Sequence, residues 1–417
     1  MDRALLEQMF RQAVHQAQPA LAVRRHLPER PSGRTVVIGA GKASAQMARA
    51  FEDAWDGPLS GLVVTRYGYA EPCQQIEIVE AAHPVPDEAG FLAARRIMEK
   101  VSGLGPNDLV VALISGGGSA LLPAPAPGLT FDDEQAINRA LLASGAPISV
   151  MNLIRNQFST IKGGRLAAHC APARVATLVV SDVPGDDPAL VASGPTIPLG
   201  GTRELARKYA NLYHLDLPPH ARDLLAGDDN LAPRPGDPVF ANHTVQTIAS
   251  AALSLEAAAD VARARGVASA ILSDSIEGEA RDVAQVHAAL AREIAQRNRP
   301  FAKPVVLLSG GETTVTLRGK GRGGRNAEFL LALAIAIDGL EGIAALAADT
   351  DGIDGSEDNA GAFADGTTAT RLRKAGIDPL VALSNNDAYS AFAAIGDLLV
   401  TGPTGTNVND FRAIIIR

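Results

Sequence analysis

The chain is poor in cysteines, aromatic residues and long apolar segments. Cys73 and Cys170 are its only cysteines, so we expect neither a disulfide framework nor a cysteine metal site, and a reducing cytoplasm fits. Aromatic residues make up 4% of the 417 residues, and 46 acids against 38 lysines and arginines give a net charge of −8. This balance argues against a general nucleic-acid-binding protein. No run approaches the roughly 20 apolar residues of a membrane span, so we expect no membrane partner.

Common catalytic motifs are also missing. The sequence has no GxSxG, CxxC or HExxH pattern, so hydrolase triads and zinc sites have no support. The segment GAGKAS at Gly39–Ser44 fails as a Walker loop, because position 36 is Val and position 43 is Ala.

The same segment also fails as a dinucleotide fingerprint. Ser44 stands where that pattern needs its third glycine, and Thr65 and Arg66 stand where it needs an acid. Arg66 can meet a 2′-phosphate, so an NADP-dependent enzyme stays as an alternative. What remains is Lys42 at a predicted helix N-terminus, a position that favours an anion, so we predict that Lys42 contacts a phosphate or a carboxylate. The alternative is a solvated surface lysine.

The rest of the chain is organised around the segment VVALISGGGSALL at Val110–Leu122. Its apolar run predicts a buried parallel strand, followed by a turn of Ser115, Gly116, Gly117, Gly118 and Ser119 and by a helix that starts at Ser119 or Ala120. Glycines can aim successive backbone N–H groups inward, so the turn is a candidate anion nest. A similar pattern, with Ser309, Gly310 and Gly311, occurs in Val305–Thr314. Any α/β protein needs glycines after its strands, which is the alternative reading.

Length and composition predict two domains. A chain of 417 residues exceeds what one core usually supports, and 47% hydrophobic residues with a mean hydropathy of +0.08 are typical of a globular protein. Strands alternate with helices in both halves, which predicts α/β domains with mostly parallel or mixed sheets. The Gly-, Pro- and Asp-rich segment Ala226–Asp237 is the predicted boundary, giving domains 1–235 and 236–417.

Two acidic clusters follow predicted strands. DTDGIDG gathers Asp349, Asp351 and Asp354 at a spacing that suits a hard cation such as Mg²⁺. A calcium loop fits less well, because Ala360 occupies the twelfth loop position, and Asx-turns are the alternative. The second cluster includes Asp182 and has the same ambiguity.

The main cationic segment, Arg318–Arg325, mixes cations with glycines. We interpret it as a flexible loop that closes over a polyanion, with Arg325 pointing inward; an exposed, solubilising loop is the alternative. His83, in AAHPVPDE, is a candidate base, or else it orders a turn or contacts substrate.

Taken together, the motifs resemble the class II glycerate 2-kinases, a family with a glycerate-kinase N-terminal domain and a MOFRL C-terminal domain. The resemblance rests on GAGKAS, HPVPDE, SGGGSALL, NLIRNQFSTIKGG, SDVPGDDP, SGPT, GGETTVT with GRGGRNAEF, DTDGIDG and TGPTGTNVND. It implies a Rossmann-like N-terminal domain, an active site in the interdomain cleft and ATP-dependent phosphorylation of D-glycerate at its 2-hydroxyl with a divalent metal. Similar proteins are also labelled hydroxypyruvate reductase, which keeps an NAD(P)H-dependent reductase as the alternative.

The resemblance places the family's catalytic lysine and arginine on Lys42 and Arg325; the other roles are our inference. For substrate we predict Lys42, Arg325, Ser44, His83 and Arg155. For ATP we predict Ser115, Gly116, Gly117, Gly118, Ser119, Lys162, Gly310 and Gly311, and for Mg²⁺ we predict Asp182, Asp349 and Asp351. A non-catalytic anion-binding protein is a third hypothesis, and we expect a monomer or homodimer.

Overall fold

A computed structural model describes residues 2–227 and 233–417. Part of the predicted boundary segment, residues 228–232, lies outside the described residues. Contacts divide the chain into two compact units. One unit contains the residues up to Gln18 together with Pro184–Asp186 and Ala249–Arg417, and the other contains Pro19–Val183 and Asp187–Ile248.

The strands of the described residues are β1 Thr35–Ala40, β2 Ser60–Arg66, β3 Ile76–Ala81, β4 Leu109–Ser115, β5 Arg174–Val180, β6 Thr244–Ala249, β7 Ala268–Ser273, β8 Gly278–Glu279, β9 Val305–Gly311, β10 Thr313–Thr314, β11 Ile343–Asp349, β12 Gly361–Asp365, β13 Leu398–Leu399 and β14 Asp410–Ile416. The α-helices are α1 Asp2–Gln16, α2 Pro19–Arg25, α3 Ser44–Ala54, α4 Glu88–Lys100, α5 Gly118–Leu121, α6 Phe131–Ala143, α7 Ile148–Gln157, α8 Arg165–His169, α9 Arg203–Leu212, α10 Pro219–Ala226, α11 Ala251–Ala264, α12 Ala280–Arg297, α13 Arg325–Ala336, α14 Thr368–Lys374, α15 Pro379–Ser384 and α16 Ala388–Ile395.

The first sheet has the spatial strand order β3, β2, β1, β4, β5, β6. The pairs β1 with β2, β1 with β4, β2 with β3, and β4 with β5 are parallel. β1 and β4 are buried along their whole lengths, because a parallel sheet carries helices on both faces. The strand order reverses between β1 and β4, as in doubly wound α/β folds. The predicted Rossmann-like architecture is therefore confirmed.

The second sheet is mixed, with the order β13, β12, β11, β14, β9, β7. β14 is antiparallel to both β9 and β11, whereas β7 is parallel to β9. One face of the sheet packs against the apolar sides of α12 and α13, and the other against α1 and α11. β14 is buried throughout, since it lies inside the sheet and between these helix layers.

Two elements pack with the sheet that is more distant in sequence order: α1, the first helix, and β6, which follows the predicted boundary. α1 packs against α11 and β11, beside the second sheet. β6 neighbours β5 in the first sheet, although it follows the predicted boundary. The domain division at 235/236 stays a prediction. Among the described residues, no helix combines the length and the apolar character needed to cross a membrane.

Candidate active site

The first candidate site lies where the order of the first sheet reverses. β1 and β4 are neighbouring parallel strands, so the loop after Ala40 and the glycine turn after Ser115 leave the same edge of the sheet side by side. In open α/β sheets, ligands bind at this edge and at this switch point. The Lys42 backbone N–H donates to the Gly116 carbonyl at 2.8 Å, which joins the two loops directly.

The backbone donors of the loop after β1 are bonded within the protein. Gly41 donates to Val64, Lys42 to Gly116, and Ser44 to the Gly41 carbonyl. The remaining donor, the Ala43 N–H, lies 3.0 Å from the Ser115 Oγ, which also lies 3.0 Å from the Ser44 Oγ. This loop therefore has no N–H group at positions 41–44 left to cradle a phosphate. Ser44 and Ser115 are fully buried and hold the two loops together.

The glycine turn after β4 differs in its free donors. With the described residues, the N–H groups of Gly117, Gly118 and Ser119 form no backbone hydrogen bond. Gly117 has the left-handed dihedrals φ 82° and ψ −9°, which glycine adopts without a steric penalty. The predicted anion nest thus has backbone donors available at this turn.

Three predicted side chains surround the turn. A Cβ placed on Gly117 would lie 3.1 Å from the His83 Nε2 and 3.2 Å from the Lys42 Cγ. A Cβ on Gly116 would lie 1.7 Å from the Asp182 Oδ2, so the Asp182 carboxylate rests directly against this glycine. The structure therefore brings Lys42, His83 and Asp182 together around the turn.

Lys42 is half-buried, and its ammonium group forms no salt bridge with a carboxylate among residues 2–227 and 233–417. His83 beside it is also half-buried. Burial, followed by the charges of Lys42 and Arg66, lowers the pKa of His83 to about 4. At neutral pH the imidazole is uncharged, so Lys42 supplies the positive charge beside the turn.

A buried polar network is hydrogen-bonded to the glycine turn through Ser119. The Ser119 Oγ lies 2.7 Å from the Ser193 Oγ, which donates to the Asn152 Oδ1 at 2.8 Å. Arg155 donates to the same Asn152 oxygen at 2.7 Å and to Asn138 at 3.2 Å. Burial lowers the pKa of Arg155 to about 10. Arg155, predicted to bind substrate, is thus connected to Ser119 through Asn152 and Ser193.

Lys162, predicted to bind nucleotide, is completely buried. Its Nζ lies 2.9 Å from the Glu134 Oε1 and donates to the Leu122 carbonyl at 2.9 Å. A buried ion pair that also bonds a backbone carbonyl fixes the segments it joins. These contacts indicate a structural role for Lys162.

A second polar cluster lies at one edge of the mixed sheet. β14 runs antiparallel between β9 and β11, so its first residue, Asp410, pairs with both Gly311 and Asp349. Arg325, the first residue of α13, lies beside them. Gly310 and Gly311 are the last residues of β9 and belong to the sheet. A Cβ on Gly311 would lie 2.2 Å from the Ile276 backbone, so close packing requires glycine there.

Three carboxylates hold the Arg325 guanidinium. Its Nε donates to Asp410 at 2.7 Å, one Nη to Asp349 at 2.7 Å and the other to Glu312 at 2.9 Å. These charges raise the pKa of Arg325, against the effect of its burial. A guanidinium has five N–H groups, so the described residues engage three of them and leave two for a ligand.

Two carboxyl groups of the acidic cluster around Arg325 have raised pKa values. Burial first, and then the charge of Asp351, raises the pKa of Asp349 well above its usual range. Burial raises the pKa of Asp354 to about 6, although Asp354 accepts the Asn326 and Ala327 N–H groups at the start of α13. A cation bound beside these carboxylates would favour their charged forms and lower their pKa values again.

Two of the three predicted metal ligands, Asp349 and Asp351, lie next to each other in the structure. Asp349 accepts the Asp351 backbone N–H at 3.0 Å, and both belong to one compact unit, whereas Asp182 belongs to the other. Within the described part of the chain, no group of three His, Cys, Asp or Glu side chains is arranged to hold a metal ion. Asp349 and Asp351, at the end of β11, are therefore the candidate carboxylates for a cation beside the second sheet.

The glycine-rich loop Arg318–Gly324 is more constrained than its composition predicts. The Arg318 N–H donates to the Asn386 Oδ1 at 2.7 Å, and the Arg322 N–H donates to the Asp387 Oδ1 at 3.0 Å. The Arg322 side chain pairs with Glu357. The loop predicted to be flexible is therefore hydrogen-bonded to the segment 385–387. The composition of the loop does not reveal this long-range contact.

Several residues of these clusters had no predicted role. Asp410 lies within the quoted segment TGPTGTNVND, yet its pairing with Arg325 depends on the antiparallel placement of β14. Asn152 and Ser193 lie within quoted motifs, and Glu312 lies within GGETTVT. Each is a polar residue within a motif, but residue type and spacing do not specify its partner.

Comparisons with known proteins agree with this fold. Residues 5–226 match the family described as "Domain of unknown function (DUF4147)", and residues 305–410 match the MOFRL family. A protein of Agrobacterium vitis named "Putative hydroxypyruvate reductase" is 53% identical, covering 99% of this chain and 94% of that protein. A protein of Thermotoga maritima named "D-glycerate 2-kinase" is 38% identical, covering 98% and 97%.

A solved structure resembles the whole chain. The crystal structure of a glycerate kinase from Thermotoga maritima matches with a TM-score of 0.91 and 38% identity, covering 99% of both chains. Both domain matches, the full-length relatives and this structural match lead to one assignment. The chain belongs to the class II glycerate 2-kinase family, in which a DUF4147 domain precedes a MOFRL domain.

Proposed function

We propose that the protein is an ATP-dependent kinase that phosphorylates D-glycerate at its 2-hydroxyl, giving 2-phospho-D-glycerate and ADP. The observation that carries this proposal is that the Lys42 side chain lies against the glycine turn, where the N–H groups of Gly117 and Gly118 form no backbone hydrogen bond with the described residues. Oriented backbone donors and a cation suit an anionic ligand. The related kinase of Thermotoga maritima supports the choice of reaction.

In this proposal the phosphates of ATP bind the glycine turn, and Lys42 contributes charge to the transferred group or to the glycerate carboxylate. Phosphoryl transfer passes through a loose transition state whose charge spreads over the equatorial oxygens. Fixed donors and cations stabilise such a state more than a strong base would. His83, uncharged at neutral pH, offers a hydrogen bond to the substrate without adding charge. Arg325 contributes its two remaining N–H groups.

Mg²⁺ fits the Asp349–Asp351 pair. Magnesium commonly binds one or two carboxylates, keeps several waters and takes substrate phosphates as its other ligands. The raised pKa of Asp349 reflects repulsion from Asp351 as well as burial. When bound, Mg²⁺ would neutralise charge on the phosphate oxygens. We further propose that the protein acts in the cytoplasm as a monomer or homodimer.

The second candidate is an NAD(P)H-dependent hydroxypyruvate reductase. It is favoured by the name of the Agrobacterium vitis relative and by Arg66, which ends β2 where a 2′-phosphate would bind. The internal bonds of the N–H groups at positions 41–44 count against it, because a dinucleotide pyrophosphate binds those donors.

Two assays run side by side separate these functions. The purified protein is incubated with D-glycerate, ATP and Mg²⁺ while ADP release is followed, and separately with hydroxypyruvate and NADPH or NADH while absorbance is followed. We expect ADP release that depends on glycerate and Mg²⁺, and a 2-phosphoglycerate product. Reduced-nicotinamide oxidation without ADP release would replace the proposal with the reductase, and ligand binding without turnover would support a non-catalytic anion-binding protein.

A further inference from the structure

A cavity of about 460 Å³ lies within the unit of the first sheet and shares no lining residue with the glycine turn. This volume is within the range of roughly 300–1,000 Å³ that is typical of small-molecule sites. Met98, near the end of α4, and His169, at the end of α8, line it. Both positions precede strands of the sheet, whereas the glycine turn follows one. The cavity is therefore separate from the proposed kinase site.

Two arginines give the cavity its positive charge. Arg165 and Arg203 line it, and neither forms a salt bridge with a carboxylate in the described part of the chain. One Nη of Arg165 donates to the carbonyls of Asn156 at 2.9 Å and Lys162 at 3.0 Å, which fixes the guanidinium in place. Its Nε and other Nη have no described acceptor, so part of its donor fork is available to a ligand.

The two charges are close enough to affect each other. Burial, and then the charge of Arg203, lowers the pKa of Arg165. Two neighbouring guanidinium groups repel, and a partly buried one also loses hydration. A dianion would relieve both costs, because arginine forks match phosphate oxygens in a bidentate geometry.

The remaining lining is suited to a small organic group. Gln157 and Thr160 add polar atoms, and Ala126 and Pro127 add apolar surface beside the arginines. A ligand with one strongly anionic end and a short organic part matches this distribution. Free phosphate would use the arginines alone.

We propose that this cavity binds the phosphate group of a small molecule through Arg165 and Arg203, as a site separate from the glycine turn. The proposal does not depend on the kinase assignment, since none of the lining residues takes part in it.

Binding is measured by calorimetry and thermal shift with inorganic phosphate and with glycerol phosphate, against sodium chloride at equal ionic strength. We expect saturable binding that Arg203→Gln weakens about tenfold or more, the usual effect of losing a hydrogen bond to a charged group. Arg207→Gln, which removes the same charge from an exposed position on α9, is the matched control and keeps wild-type affinity. Lys42→Ala changes only the glycine-turn site, so the binding event that Arg203→Gln weakens remains in that variant.

Arg165→Gln tests the second cation, and its thermal unfolding is checked because Arg165 also binds two carbonyls. If that variant does not fold, Arg203→Gln decides the matter alone. Tighter binding of glycerol phosphate assigns a phosphate ester as occupant, and equal binding assigns free phosphate; both support an anion site. The proposal is overturned if neither probe binds, if Arg203→Gln binds as well as wild type, or if Lys42→Ala abolishes binding.

Discussion

The Nε of Arg325 lies 2.7 Å from Oδ1 of Asp410, and the other oxygen of that carboxylate accepts from Arg412. Asp410 and Arg412 are almost completely buried, and Arg325 is largely so. Asp410 therefore bridges two arginines at the point where β14 begins between β9 and β11, while Asp349 and Glu312 share the charge of Arg325. The stability of this part of the chain depends on that charge balance.

We expect Asp410→Asn to destabilise the protein by about 3–5 kcal/mol, the usual cost of removing one partner from a buried ion pair. The variant leaves the buried Arg412 without its carboxylate and weakens the anchoring of Arg325. Unfolding by heat and by urea measures the change. Asp260→Asn breaks an exposed pair with Arg263 and should cost less than about 1 kcal/mol. Equal midpoints for Asp410→Asn and wild type would contradict the proposed balance.

Lys42→Ala and Arg325→Ala should each lower kcat for glycerate-dependent ADP release by about 10² or more, the effect of losing a preorganised charge-stabilising donor. Lys208→Ala on α9 and Arg263→Ala on α11 remove exposed charges and serve as controls. Thermal unfolding of each variant separates lost catalysis from lost folding. Near-wild-type turnover in folded Lys42→Ala and Arg325→Ala would remove these residues from the proposed machinery.

Gly41→Ala should disturb the junction between the two loops. Gly41 has φ 144°, and an added Cβ would lie 2.1 Å from the Ser115 Oγ and 2.4 Å from the Ser115 carbonyl oxygen. The loop carrying Lys42 must then move away from the glycine turn, and a displacement of about 1 Å costs about 10²-fold in rate. Turnover and thermal unfolding are measured together.

Gly128→Ala is the matched control for that substitution. Gly128 has φ 89°, but nothing lies within 4 Å of the added Cβ. It should therefore show only the strain of a left-handed alanine, about 1–2 kcal/mol, with turnover unchanged. If both alanine variants keep wild-type turnover, the loop junction does not position Lys42.

His83 should remain uncharged throughout the pH range in which most histidines titrate. Burial and the neighbouring positive charges lower its pKa in the folded protein from the ordinary value of 6.5 to about 4. The stabilisation from its neutral form is therefore complete above pH 6.5 and is lost as the pH falls through about 4. Nuclear magnetic resonance of the imidazole measures the midpoint, with His83→Gln used to assign the signal.

Lys42→Met provides the matched test of the cause. It removes one of the two positive charges that lower the pKa of His83, so the midpoint should rise, yet stay below 6.5 because burial is the larger cause. Lys208→Met, at an exposed position on α9, should leave the midpoint unchanged. A wild-type midpoint near 6.5 would show that His83 is hydrated and charged at mildly acidic pH.

Local patterns in the sequence determined the types of element and the family. The apolar run before Ser115 predicts a buried strand, the glycines after it predict a turn, and the ordered motifs identify the family. Each of these signals depends only on neighbouring residues, through side-chain alternation, apolar periodicity and the conformational freedom of glycine. The α/β class, the parallel first sheet and Lys42 beside a glycine turn were therefore predictable.

Only the tertiary structure decided which groups are engaged. The N–H groups of positions 41–44 donate to acceptors in Val64, Gly116, Ser115 and Gly41. Lys162 pairs with Glu134, which lies 28 residues earlier in the chain. Asp410 reaches Arg325 because β14 is inserted antiparallel between β9 and β11. Such partners are chosen by strand order and packing over long separations, so residue type and spacing identify a charged or polar group but not what it contacts.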